Sequence, residues 1–142
     1  MILSLHKTRC GPCNDLDLKN RIRKIRIATW DNSYASNSVW GRRIPHVYLQ
    51  RFTSLCKQRK VKQIIDAGSG SGLYTAYFSI KGFKVIAVDI SRTGQTLTKH
   101  LVKSLSFLKL AGAINTGPSE VDFVKAELPH LPLGGHTAQA IF

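Results

Sequence analysis

The sequence predicts an α/β fold, a parallel sheet with flanking helices, on three observations. A short apolar run, "QIIDA" (63–67), leads through a glycine turn into a helical pattern over about 72–81. A second apolar run, "KVIAVDI" (84–90), follows Gly82, and strands separated by a helix-length crossover lie parallel. A longer helical stretch, "TGQTLTKHLVKSLSFLKL" (93–110), and a further run, "VDFVKA" (121–126), continue the same alternation.

The remaining elements follow in order. Residues 1–30 form a basic leader, in which "LDLKNRIRKIRI" spaces Leu18, Ile22 and Ile25 as a helix does, although "RIRKIRI" alternates as an edge strand also would. A helix is expected there. "DNSYASNSVWG" (31–41), rich in Asp, Asn and Ser, reads as a loop. Pro45 suits a first helical position, and "PHVYLQRFTSLCKQR" sets Val47, Tyr48, Phe52, Leu55 and Cys56 along one face. In the later helix, Leu97, Leu101, Leu105 and Leu108 mark the apolar face. Loops "AGAINTGPSE" and "ELPHLPLGGHT" bracket the third strand, and "AQAIF" (138–142) opens a fourth, so the sheet is incomplete at about four strands. The expected organisation is a basic leader over 1–44 and an α/β domain over 45–142.

With 142 residues, 43% of them hydrophobic, the chain can bury one core without disulfide staples. Its opening apolar run breaks at His6 and Lys7, too early for a secretory core, and no segment approaches the roughly 20 apolar residues of a membrane span. A cytoplasmic location is expected. The net charge is +13, and 13 of the 21 Lys/Arg residues, against 3 of the 8 acids, lie in residues 1–60. Such a field attracts nucleic acid, anionic lipid or phosphorylated small molecules, or is simply a solvated basic surface. Trp30, Tyr34, Trp40 and Tyr48 near the basic run could stack on bases or pack in a core.

Cys10 and Cys13 form "CGPC", the thioredoxin tetrapeptide. A redox pair needs a preceding buried strand and a following helix N-terminus, and only "ILSL" precedes this one. A zinc half-site would need a second pair, but only Cys56 remains, and the histidines stand at no ligand spacing. A local turn is the expected reading, and no metal is called for.

The glycine turn carries the chemistry. It lies between a buried-type strand and a helix, where the backbone must bend tightly, so a flexible linker does not fit. The dinucleotide fingerprint needs Gly-x-Gly-x-x-Gly; Gly68 and Gly70 match, but the third glycine is Gly72 and the required position holds Leu73. A phosphate-binding Gly-Lys-Ser/Thr is absent too. Asp66 ends the first strand, and its carboxylate is expected to face whatever the turn cradles. Two unit charges about 4 Å apart interact by roughly 4 kcal/mol at a dielectric near 20, so a pyrophosphate is repelled there and a cation attracted. Asp89 ends the second strand, where an open sheet places an acid to accept the hydroxyls of a ribose. A nucleoside with a cationic tail and no phosphate fits both acids, and S-adenosylmethionine is such a molecule.

"IIDAGSGSG" and "VIAVDIS" resemble the first two motifs of class I S-adenosylmethionine-dependent methyltransferases, and "VDFVKAELPHLPL" is similar to the third. The likeness runs from Val61 to Phe142 and implies a Rossmann-like fold. It further implies that Asp66, Ala67, Gly68, Ser69, Gly70 and Gly72 hold the methionine part, that Asp89 takes the ribose hydroxyls, and that Ile90 lies against the adenine. Glu127 would receive the adenine amino group, with Leu128 beside it. "WDNSYASNSVWGRRIP" looks, more faintly, like the aromatic lid of small-molecule methyltransferases. Tyr74 and Tyr77 are expected to pack rather than to touch a ligand.

Two departures qualify the likeness. The acid that usually opens the fourth strand is replaced by Gln139, which cannot bear a charge to help hold the donor. The family's sheet has further strands, so the chain is expected to be truncated or to be completed by another chain along its last strand. The implied function is transfer of a methyl group from S-adenosylmethionine, with a small molecule as the expected acceptor. The rivals are an RNA or protein acceptor met by the basic leader, and an inactive donor-binding fragment. The catalytic residue is unknown; Tyr34, His46, His130 and His136 are candidates for a base.

Overall fold

The computed structural model describes residues 15–36, 47–135 and 138–142. The "CGPC" motif, Trp40, Pro45, His46, His136 and the expected boundary near residue 44 lie outside them. Helix α1 spans Asp15–Ala35, α2 Val47–Gln58, α3 Leu73–Ile80 and α4 Arg92–Leu110; strand β1 spans Gln63–Ala67, β2 Lys84–Asp89, β3 Val121–Lys125 and β4 Ala140–Ile141. The strands form one parallel sheet in the order β3-β2-β1-β4. The predicted α/β architecture is therefore observed. No helix among the described residues is long and apolar enough to cross a membrane.

The inner strands β1 and β2 are covered on both faces, which is why "QIIDA" and "KVIAVD" read as continuous apolar runs rather than alternating ones. Ile64 and Val85 face one side, where Leu49 and Cys56 of α2 and Phe78 of α3 complete a buried cluster. Ile65, Ile86 and Val88 face the other side, against Ala126, Leu131 and Leu133 from the connection that follows β3. Phe142 closes the first cluster, its ring centroid 5.2 Å from Phe52 and Tyr74 and 5.1 Å from Phe78. Tyr74 and Tyr77 pack against this cluster, as expected.

In both amphipathic helices the buried stripe matches the apolar one only in part: Cys56 is buried and Phe52 packs on the core as expected, and Leu101 and Leu105 are half-buried. In α2 the buried residues are Leu49, Thr53 and Cys56, while Val47, Tyr48 and Leu55 are exposed. Thr53 can lie inside because its hydroxyl donates to the Leu49 carbonyl at 2.8 Å, leaving no unpaired polar group. In α4 the buried residues are Gly94 and Thr98, while Leu97 and Leu108 are exposed. This helix meets the domain through small residues of its first turns.

The segment read as a loop from Asp31 begins as helix: α1 continues to Ala35. Ser and Thr here satisfy their hydroxyls on the helix itself, Thr29 on Ile25 O and Ser33 on Thr29 O, both at 2.9 Å. Asp31 finds its partners outside the helix, on α4. Thr29, Asp31 and Ser33, side chains of the kind that divert a backbone from helix, are thereby engaged.

Gln139 lies at the end of the sheet opposite to that expected. Its Oε1 accepts from Lys62 N at 2.6 Å and Gln63 N at 3.3 Å, at the entrance to β1, whereas Asp66 and the glycine turn stand at the exit. The residue at this position therefore has no bearing on a ligand held by the turn.

Candidate functional site

The exits of β1, β2 and β3 converge on the glycine turn, which is built from the backbone outward. Gly68 N and Ser69 N both donate to Val88 O at 2.9 Å, tying the turn to β2. Gly70 N donates to Asp89 Oδ2 at 2.8 Å, and Ser91 N donates to Asp89 Oδ1 at 2.7 Å. One buried carboxylate thus fixes both the turn after β1 and the turn after β2. Gly72 holds φ +88°, and a Cβ there would lie 2.7 Å from the Thr98 Cα, so only glycine lets α4 come this close. Thr98 Oγ1 lies 2.9 Å from Gly70 O and 3.0 Å from Gly94 O and donates between them. At Gly94 a Cβ would come within 2.8 Å of Gly70 O, which explains a glycine inside the first turn of a helix.

Asp66 turns away from the clefts described below. Its Oδ2 accepts from Thr75 Oγ1 at 2.6 Å, in the first turn of α3. Burial pushes its pKa up to about 6; the Thr75 hydrogen bonds oppose the shift and the neighbouring Asp89 charge adds to it.

Helix α1 forms a roof over this floor. Asp31 accepts from Ser91 Oγ and, at 3.0 Å, from Thr93 N, while Ser91 Oγ accepts from Gly94 N at 2.9 Å. Asp31 therefore acts on α4 as a second cap, supplied from sixty residues upstream. Burial alone would raise its pKa, but the bonds from Ser91 and Thr93 and the charge of Lys125 outweigh it and hold the carboxyl below its ordinary range. Trp30 and Tyr34 stack at 6.0 Å. Burial, and then the Asp89 charge, push the Tyr34 hydroxyl up to about 12. The hydroxyl therefore keeps its proton near neutral pH. Farther along α1, Arg26 Nη1 meets Glu127 Oε1 at 3.2 Å and Arg23 Nε meets Glu127 Oε2 at 3.6 Å.

Roof and floor enclose a cleft of about 370 Å³. Among the residues expected from sequence, Gly68, Asp89, Ile90, Glu127 and Leu128 line it together. Gly68, Ser69 and Gly70 line a smaller recess of about 240 Å³ beside Tyr34 and Tyr74. Asp66, Ala67 and Gly72 line neither: they bond Thr75, pair with β2 and Phe142, and abut Thr98. His130 stands on a different cleft, away from the turn. Sequence reasoning missed Arg26 and Ala126 in the cleft wall, and Asp31, Thr75 and Thr98 as the residues that hold the frame. Only the i, i+4, i+8 spacing of Arg26, Trp30 and Tyr34 on one helix offered a signal.

No protein-family model and no curated protein matches the sequence. Solved structures do. Magnesium protoporphyrin IX methyltransferase from Synechocystis PCC 6803, with S-adenosylmethionine bound, superposes with a TM-score of 0.59 at 15% identity, over 84% of this chain and 59% of its own. The same enzyme with S-adenosylhomocysteine bound gives 0.56 at 13% identity, over 84% of this chain and 56% of its own. The chain thus spans little more than half the length of that enzyme. It has the Rossmann-like fold of the class I S-adenosylmethionine-dependent methyltransferases.

Proposed function

We infer that the chain binds S-adenosylmethionine in the cleft under α1 and serves S-adenosylmethionine-dependent methyl transfer. One observation carries the reading: the buried Asp89 carboxylate, braced by Gly70 N and Ser91 N, lines a cleft flanked by Ile90 and Leu128. Each carboxylate oxygen has two lone pairs, so both retain capacity for a pair of ribose hydroxyls. The group fits on a second count. Ser69 Oγ is buried without a hydrogen-bond partner among the described residues, in the recess that the turn would offer to a polar amino-acid tail. Gly68, Ser69 and Gly70 would hold that tail, Asp89 the ribose, Ile90 and Leu128 the adenine faces, and Glu127 its amino group. Asp66 contributes through Thr75 and α3 rather than by contact.

When bound, the donor supplies a methyl group on a sulfonium, which an in-line nucleophile removes. The chain's own share is to orient the two partners and exclude water, and α1 provides the cover. The sequence alone favours a small-molecule acceptor; the cationic cleft beside this one favours instead an acceptor that carries phosphates.

The test is calorimetric titration of the 142-residue chain with S-adenosylhomocysteine and, separately, NAD. Heat from the first alone is expected, weakened roughly 10- to 100-fold by Asp89→Asn, as loss of a charged hydrogen-bond partner implies. Binding of NAD, or an Asp89→Asn chain that folds and binds as before, would refute the reading.

A further inference from the structure

Beyond the Arg26–Glu127 pair lies a second cleft, of about 530 Å³, between α1 and the chain leaving β3. Arg26, Ala126 and Glu127 line both clefts and so form their common wall. Lys19, Arg23 and Arg26 come from one side, Lys125 and His130 from the other. Among the described residues that line it, Glu127 is the one carboxylate, and it is shared between Arg23 and Arg26. Four Lys and Arg side chains thus converge on this cleft among the described residues.

The arrangement has direction. Lys19, Arg23 and Arg26 stand at i, i+4 and i+7, a row rising about 10 Å along α1, close to the rise of about three nucleotides in a stacked strand. The row ends at Trp30, which is 45% exposed at the mouth of the first cleft and offers a ring for a base to stack on. Arg21 and Lys24, both exposed, extend the positive field over the outer side of α1. A small phosphorylated compound would use only the cations inside the cleft. A lipid surface calls for a flat cationic face, whereas these side chains converge on a concave one.

We propose that this cleft holds the phosphate backbone of a single-stranded nucleic acid and leads a base to Trp30 beside the first cleft. The binding stands on the cleft itself; that the strand is the methyl acceptor rests on the donor reading above.

The test is fluorescence anisotropy of the full chain with a short labelled oligouridylate, titrated between roughly 50 and 200 mM salt. Four backbone contacts predict a slope of log affinity against log salt of about −3, at about −0.7 for each contact with a single strand. Lys19→Ala combined with Lys125→Ala is expected to halve that slope and weaken binding. Lys57→Ala with Lys103→Ala, which removes the same charge from exposed positions on α2 and α4 outside the cleft, is expected to change little. Equal weakening by the two pairs would mean a diffuse field and overturn the proposal. So would absent RNA binding, or binding only to phosphatidylserine vesicles. Failure of S-adenosylhomocysteine to bind while RNA binding persists would remove the acceptor role alone, so the two readings fail separately.

Discussion

The floor and the roof of the cleft under α1 are held by different physics. The floor is mostly buried and closely bonded: Asp89 to two backbone amides, Thr98 to two carbonyls, Asp66 to Thr75, with glycines where backbones touch. The roof, α1, is mostly exposed and is attached by Asp31 at one end of the contact and by the Arg23 and Arg26 pairs to Glu127 at the other. Exposed ion pairs contribute little, typically under about 1 kcal/mol. The difference teaches that the ligand-facing surfaces need not share one stability: the floor should survive changes that release the roof.

The largest effect is expected from breaking the floor. Gly72→Ala places a Cβ 2.5 Å from Thr98 Cγ2 and 2.7 Å from its Cα at φ +88°. Strain plus overpacking should cost about 3–5 kcal/mol in urea unfolding. A loss under about 1 kcal/mol would mean that α4 shifts freely and the floor is as soft as the roof.

Next comes a pH dependence. Burial raises Asp66 to about 6 from an ordinary 3.8, so between those values the folded chain keeps a proton that the unfolded chain releases. Its stabilising contribution is whole below the lower value and is lost as pH rises through about 6. Asp66→Asn should flatten that decline, a difference of up to about 3 kcal/mol between pH 4 and 7, read as the pH profile of the unfolding midpoint. An unchanged profile would place the proton elsewhere.

The smallest effect belongs to the roof. Asp31→Ala removes the added cap on α4 and should cost about 1 kcal/mol. Its clearer sign is faster tryptic cleavage within "RIRKIR" while the melting midpoint of the domain falls by only a few degrees. A large fall in stability would show that α1 is integral to the core.

This contrast also explains what the sequence disclosed. Strands β1, β2 and β3, helix α3 and the placing of Gly68, Asp89, Ile90, Glu127 and Leu128 around one cleft were legible, because local periodicity and a short motif specify them. The stripe of α2 was legible only at Phe52 and Cys56, because Thr53 buries its hydroxyl by bonding Leu49 O, which apolar counting ignores. The helical state of Asp31 to Ala35 was hidden because its stabiliser, the N-terminus of α4, lies some sixty positions downstream. Asp66 was expected to look into the site; its partner Thr75 is only nine residues away, yet nothing in composition says that a hydroxyl will claim it.

The Gly70 amide held by Asp89 has one more implication. A bend already frozen by the end of the neighbouring strand has little conformational entropy left to lose when a guest arrives, so this part of the cleft is preorganised. Whatever ordering accompanies occupancy must then come from the cover, and the rate at which α1 lifts, rather than any remodelling beneath it, would set how fast a guest enters and leaves.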